Sequence, residues 1–417
     1  MRILLVGVGS RGDVQPYIAL AKGLQQAGHD VVLAAAMNFQ TWIESEGLAF
    51  APIHVDMEAY MQTDIGKTWL ETSSNNGRRE LENMKRMTNT IAPQIVDDLF
   101  SISDRGDVFI SGLLTIEPLH TLAQAQGKRV IVGLLAPFAP TSSGAAGLQA
   151  LLPQSDSILN RWFGYLIEMF MFDVMRYPSE LVRQRLNQPN VTRSDFMRAL
   201  NRTPTLIGVS PEVVPPAPDW HAHTYTTGYW FLNSPAAWQP GPELDAFLND
   251  GTPPLYIGFG SMANSNPAET AQVILEALRT TNQRAILHSG WAGFQADDPN
   301  VFMLDYAPHD ALFPRMAGVI HHGGAGTTAA ALRAGVPSGV VAHIGDQWFW
   351  GRRVHELGVG AAPMRRHELR VERLATMIRQ LTADETMRQQ AAALGARIRA
   401  EDGVGQAVAV INRLLQP

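Results

Sequence analysis

The stretch Ile3-Leu4-Leu5-Val6-Gly7-Val8-Gly9-Ser10-Arg11-Gly12-Asp13-Val14-Gln15-Pro16 decides the fold. Residues 3–8 form a continuous apolar run, the pattern of a strand buried on both faces of a parallel sheet. Residues 9–12 read as a turn. Asp13 reads as an N-cap, and Pro16 suits the first turn of the helix that follows, where a missing N–H costs nothing. That helix ends near Gly28, and Asp30–Ala36 is the next strand. The alternation continues with a strand at 107–111, a helix at 117–126 and a strand at 129–135. It predicts a doubly wound α/β domain.

A second alternation follows a proline-rich stretch, Pro211-Glu212-Val213-Val214-Pro215-Pro216-Ala217-Pro218. Such a run fits neither a helix nor a central strand and reads as a linker. Strands are predicted at 255–259, 284–288, 318–321 and 339–342, with a helix at 268–280 and the last helices over 371–415. A chain of 417 residues exceeds one ordinary core and suggests two domains of about 200 residues each. The expected division is an N-terminal acceptor-binding domain at 1–210, a linker at 211–222, a nucleotide-sugar-binding domain at 223–395, and a C-terminal helix at 396–417 packing back on the first domain.

Composition removes several classes. Net charge is −6, so a polyphosphate backbone is repelled and no nucleic-acid partner is expected. The absence of cysteine excludes disulfides, thiolate metal sites and cysteine nucleophiles. The opening apolar run is too short and too rich in glycine for a signal peptide, and no run of about 18 apolar residues exists to span a membrane. A cytoplasmic location is the expectation. The segment 161–175, RWFGYLIEMFMFDVM, is apolar on nearly all sides. It reads as a buried helix, as the lining of an acceptor pocket, or as a peripheral membrane contact that would make the protein membrane-associated.

Gly7-Val8-Gly9-Ser10-Arg11-Gly12 fits the dinucleotide pattern G-x-G-x-x-G. That reading needs an acid at the end of the second strand to hold a ribose. Here the strand ends Ala34-Ala35-Ala36-Met37-Asn38, and an NAD-dependent oxidoreductase is disfavoured. Asp13 is either a plain helix cap or a general base, because its turn lies at the carboxyl end of the first strand, where such sheets bind ligands.

The richest stretch is His321-His322-Gly323-Gly324-Ala325-Gly326-Thr327-Thr328, placed after a strand and before a helix expected at 329–334. Small residues leave backbone N–H groups uncovered at the positive end of that helix, an arrangement that suits a diphosphate. His322 can add a hydrogen bond, and Thr327 and Thr328 add hydroxyls. No G-K-[ST] follows, and the histidine pair lacks metalloprotease spacing. Asp346 beside Gln347 could hold sugar hydroxyls or sit in a solvated loop. Trp291 and Tyr306 stand near strand ends and could stack on a nucleobase or join the core.

Taken together these residues resemble the GT-B glycosyltransferases of family 1. Tyr306-Ala307-Pro308-His309, His322 to Thr327, Gly335-Val336-Pro337, Asp346-Gln347 and Leu357-Gly358-Val359-Gly360 are similar to the donor-binding signature of UDP-sugar transferases. Gly9-Ser10-Arg11-Gly12-Asp13-Val14-Gln15-Pro16 resembles the sterol glucosyltransferases and the actinobacterial antibiotic glycosyltransferases. Similarity is poor over 55–210.

The resemblance implies two Rossmann-like domains facing across a cleft, and a UDP- or TDP-sugar as co-substrate, with no separate cofactor and no metal. Ser10, Arg11, Gly12, Ser261, His322, Gly324, Ala325, Gly326 and Thr327 would hold the donor diphosphate. Trp291, Tyr306, Ala307 and His309 would meet the base. Asp346 and Gln347 would bind the donor sugar, and Asp13 would be the catalytic base of an inverting hexosyl transfer. Asp13 falls where plant relatives carry a catalytic histidine, and the acid that backs that histidine is missing from Phe109-Ile110-Ser111-Gly112. The expected acceptor is an apolar small molecule, a sterol first, with polyketides, terpenoids and flavonoids as alternatives. A nucleotide-sugar epimerase would need several acid/base groups around the sugar, whereas only Asp13 is strongly placed. A non-catalytic homologue would not be expected to keep Asp13, His322 and the Asp346–Gln347 pair together.

Overall fold

The computed structural model describes residues 1–63, 66, 77–233, 238–259, 267–288 and 298–416. The chain forms two compact units. One comprises Met1–Tyr60, Leu81–Leu232 and Glu401–Pro417; the other comprises Met61–Glu80 and Asn233–Ala400.

The first unit is built on strands β1 (Arg2–Val6), β2 (Asp30–Ala36), β3 (Ala49–Ile53), β4 (Val108–Ser111), β5 (Arg129–Leu134), β6 (Thr205–Ile207) and β7 (Thr224–Thr226). All pair in parallel, in the order β3-β2-β1-β4-β5-β6-β7. Leu5 lies opposite both Leu33 and Ile110, and Ile3 to Val6 are fully buried. The continuous apolar run thus follows from a strand covered on both faces. The order reverses between β1 and β4, so the glycine turn after β1 opens at the switch point, where α/β sheets bind ligands.

The helix Arg11–Gln26 covers one face of this sheet. Its Tyr17 donates a hydrogen bond to the Gly133 carbonyl (2.8 Å) and meets Trp230 edge-on. The helix Gly403–Leu415 belongs to the same unit, and its Ala407, Ile411 and Leu415 join the same core. It packs on Gly23, where an added Cβ would stand 2.4 Å from Val404 and 3.2 Å from Val408.

The first unit runs past position 210. Strand β7 extends its sheet, and Val213 and Val214 in the proline-rich stretch are fully buried. Proline removes ladder donors and so interrupts a sheet locally, but it does not mark where a chain leaves a domain.

The second unit holds β8 (Leu255–Gly258), β9 (Ala285–His288), β10 (Val301–Leu304), β11 (Gly318–His321), β12 (Ser338–Ala342) and β13 (Met364–Arg365). These strands are also all parallel, in the order β10-β9-β8-β11-β12-β13. Their switch point lies between β8 and β11. The His321–Thr328 stretch follows β11, so it too emerges at a switch point.

The segment 161–175 is not apolar-buried all round. It lies within the helix Ile158–Arg185, which Ser157 caps by accepting a hydrogen bond from the Leu159 N–H (3.2 Å). Met171, Phe172, Val174 and Met175 pack inward with Val191 and Phe196. Trp162 (65% exposed), Leu166, Met169 and Phe170 face solvent. Sequence periodicity could not separate the two sides because both are apolar. Glu168 sits on the inner side, buried, and its Oε2 has no partner among the described residues.

Desolvation raises the Glu168 carboxyl from 4.5 to about 7. Below 4.5 the group is protonated in both folded and unfolded chains; above 7 folding buries a charge. Stability is therefore expected to fall by up to roughly 3 kcal/mol as pH rises through this window. Chemical denaturation at roughly pH 5 and pH 8 checks this, with Glu168→Gln abolishing the Glu168 contribution.

Candidate functional site

In the first unit the site begins at the turn after β1. The helix starts at Arg11, so its N-cap is Ser10, and Asp13 is the third helical residue rather than the cap. The Ser10 N–H (2.8 Å) and hydroxyl (3.0 Å) both donate to Asp13 Oδ2. This is the return half of a capping box. Asp13 keeps an exposed side-chain face. Protein around the remainder desolvates the carboxyl and raises its pKa, while the Ser10 hydrogen bonds oppose that rise.

Ser10, Arg11 and Gly12 are the other phosphate candidates of this turn. Both Ser10 donors are engaged by Asp13. The Arg11 guanidinium lies over the Trp42 ring at 4.4 Å. Gly12 is exposed in the first helical turn. Arg11 is thereby held back along the protein surface, because an aromatic face competes with an anion for its cation.

In the second unit the helix after β11 spans Ala325–Ala334, starting four residues earlier than the sequence suggested. Ala325, Gly326 and Thr327 are therefore its first turn, whose N–H groups have no intrahelical acceptor. Gly324 is the N-cap and has no side chain to cover them. Thr328 does not offer its hydroxyl to a ligand, because the group donates to the Gly324 carbonyl (2.9 Å) and the side chain is buried.

Two glycines make this geometry. Gly323 has φ +91°, and a Cβ there would meet the Gln347 carbonyl and Val340 Cγ1 at 2.7 Å. A Cβ on Gly324 would stand 2.5 Å from His322 Nε2. The His322 ring thus lies directly over the helix start. Desolvation lowers its pKa to about 4, so it is a neutral ring near neutral pH. His321 is fully buried behind it and accepts the Gly323 N–H at Nδ1 (3.0 Å). Burial, with His322 and His309 nearby, holds His321 neutral as well.

The loop after β12 carries Asp346 and Gln347. Asp346 stands at the N-cap position of the helix Gln347–Glu356 without a side-chain capping bond, and its Oδ2 accepts the indole N–H of the fully buried Trp350 (2.6 Å). Gln347 is buried, and its Oε1 accepts the N–H groups of His343 (2.7 Å) and Ile344 (3.0 Å). That oxygen therefore shapes the loop rather than standing ready for a sugar. Sequence reasoning passed over His343, although it stands in the same loop. Gly345, at the loop's apex with φ +62°, donates its N–H to Glu80 (2.6 Å).

After β10, Tyr306 is 55% exposed and Ala307 is buried with its neighbours Leu304 and Phe313. His309 stacks on Phe313 (4.3 Å, 15°), so its ring is part of the wall behind the loop. Ser261 and Trp291 lie outside the described residues.

Two all-parallel Rossmann-like units, each opening a glycine turn at its switch point, give the chain a GT-B fold. The kitacinnamycin glycosyltransferase matches it with a TM-score of 0.68 at 19% identity, covering 99% of this chain and 98% of that one. The Streptomyces nogalater glycosyltransferase SnogD matches with a TM-score of 0.67 at 18% identity, over 99% and 100%. Residues 3–97 match the glycosyltransferase family 28 N-terminal domain, and residues 273–411 match the erythromycin biosynthesis protein CIII-like C-terminal domain.

A sterol 3-beta-glucosyltransferase of Arabidopsis thaliana is 35% identical over all of this chain and 68% of its own length. A second Arabidopsis thaliana enzyme of that name is 33% identical over 98% of this chain and 64% of its own. A Neosartorya fischeri sterol 3-beta-glucosyltransferase is 33% identical, and the chain spans 30% of it. The chain belongs to the glycosyltransferase family that includes these sterol 3-beta-glucosyltransferases.

His322→Ala is expected to weaken UDP binding by roughly 1.5–3 kcal/mol, the range for a hydrogen bond to a charged group. Gly324→Ala should act in the same direction by displacing the ring. Calorimetric titration checks both, and equal UDP affinity in wild type and His322→Ala would remove His322 from the donor site.

Proposed function

We propose that this protein is an inverting glycosyltransferase that moves a hexose, glucose from UDP-glucose first, onto a hydroxyl of a sterol-like small molecule. The observation that carries the donor reading is the set of uncovered first-turn N–H groups at Ala325, Gly326 and Thr327 beneath a neutral His322. Backbone donors and a positive helix end favour a diphosphate, and they are preorganised for the charge that grows on it as it leaves. The names of the relatives support glucose and a sterol.

In the proposed reaction the acceptor oxygen attacks the anomeric carbon as the bond to the diphosphate oxygen breaks, and Asp13 takes the acceptor proton. A carboxylate base needs no second carboxylate to orient it, and an adjacent one would raise its pKa further. Asp346 and the Gln347 amide would hold sugar hydroxyls. Tyr306 and the Ala307 backbone would meet the base. UDP is the first choice, and the solved VinC complex with DTDP supports TDP as the second.

Asp13→Asn is expected to abolish transfer while leaving UDP affinity within a few-fold. Because only the ionised carboxyl accepts a proton, kcat/KM should rise with pH through a value above the ordinary 3.8. Steady-state rates across pH check both, and unchanged turnover in the variant would remove Asp13 from the chemistry.

The proposal extends to a peripheral membrane contact. Ten of the exposed large apolar residues lie between Leu151 and Tyr177, including Trp162, Tyr165, Leu166 and Phe170. Those named share one helix, and a lipid surface suits aromatic and large apolar side chains exposed together. No helix among the described residues is long and apolar enough to cross a membrane. Phosphatidylcholine vesicles are expected to co-sediment with the protein and to lose it on a Trp162→Glu, Phe170→Glu double change. Equal sedimentation of the two proteins would exclude this face.

A further inference from the structure

We propose that His343 is a specificity residue that accepts a hydrogen bond from a hydroxyl of the donor sugar. This rests on the glycosyl-transfer reading above and assigns a recognition element within its donor site. A hexose presents several hydroxyl donors, and the loop after β12 has to supply acceptors for them. Two of its acceptors are already engaged. Gln347 Oε1 takes the His343 and Ile344 N–H groups, and Asp346 Oδ2 takes the Trp350 indole N–H.

His343 opens this loop directly after β12, on the same carboxyl edge of the sheet as the phosphate turn. Its ring lies 5.5 Å from Phe259, which follows β8 at the switch point. It is close enough to His322 for the two rings to interact electrostatically. The ring's hydrogen is assigned by its surroundings. Nδ1 lies 2.9 Å from the Val341 carbonyl, and a carbonyl can only accept, so Nδ1 carries the hydrogen. Nε2 is left with a lone pair and has no partner among the described residues. Burial lowers the pKa to about 3, with His322 and Arg366 acting in the same direction, so the ring keeps this form at working pH. The loop therefore presents one acceptor of fixed polarity beside the diphosphate cradle.

The test compares wild type, His343→Phe and His343→Gln in calorimetric titrations with UDP and UDP-glucose, and in transfer assays with the monodeoxy UDP-glucoses. His343→Phe should bind UDP within about twofold of wild type but UDP-glucose about tenfold more weakly. One monodeoxy donor should be about tenfold poorer than UDP-glucose for wild type and no poorer for His343→Phe. Gln, which can present a carbonyl oxygen near the Nε2 position, should recover part of the loss. Equal weakening of UDP and UDP-glucose would mean that His343 only shapes the loop, and unchanged affinities would mean that it touches nothing; either overturns the proposal. Wild type that binds UDP but transfers glucose to no acceptor would sink the transfer reading, while the UDP against UDP-glucose comparison still judges His343. Wild type that binds neither UDP nor UDP-glucose would overturn both.

Discussion

The second unit depends on backbone approaching backbone without side chains between. The helix after β11 must begin at once, against the loop that leads into Gln347. At Gly323 any Cβ would strike the Gln347 carbonyl and Val340, and the positive φ disfavours other residues independently of space. At Gly324 a Cβ would strike His322. Remove either freedom and the first-turn N–H groups no longer sit open beneath the imidazole. The parallel sheet supplies the other half of this constraint. It brings the carboxyl ends of β8 and β11 to the point where strand order reverses, and the carboxyl end of β12 lies beside them.

Around that turn the chain gathers His321, His322 and His343, and burial holds all three neutral. In the proposed donor site the backbone N–H groups of the Ala325–Thr327 turn, rather than a charged ring, would carry the electrostatic work. A neutral imidazole gives a directed hydrogen bond without adding a charge. In the first unit burial pushes the Asp13 carboxyl toward protonation, and the Ser10 hydrogen bonds push back. The Ser10 bonds that close the start of the helix also hold the Asp13 carboxyl in one orientation.

Much of this was legible in the sequence because local physics wrote it there. The apolar run of β1, the glycines at 323 and 324, and the Asp346–Gln347 pair each report a local requirement, namely a doubly covered strand, a backbone contact, or a helix start after a strand. Other features misled because the same residues satisfy two patterns. Asp13 looked like the cap, but Ser10 caps and Asp13 reciprocates, since both residue types suit either position. Thr328 looked like a ligand donor, but its hydroxyl turns back to the Gly324 carbonyl. The apolar segment 161–175 left a buried helix, a pocket lining and a membrane contact open, and the structure shows that it is not a buried helix, because one face is open to solvent.

The class of fold, the position of both glycine turns and the residue types at them follow from the chain alone, because these depend on neighbours close in the chain. Which hydrogen-bonding groups remain available is settled only once distant segments meet. Gln347 Oε1 is engaged by the backbone of its own loop, Arg11 lies on Trp42, and His343 has its hydrogen fixed by Val341. Strands such as β7 and β13 likewise join their sheets through pairing with distant segments, too short to announce themselves by periodicity. Hydrogen-bond capacity is allotted among groups that meet only after folding, so no spacing rule along the chain can assign it.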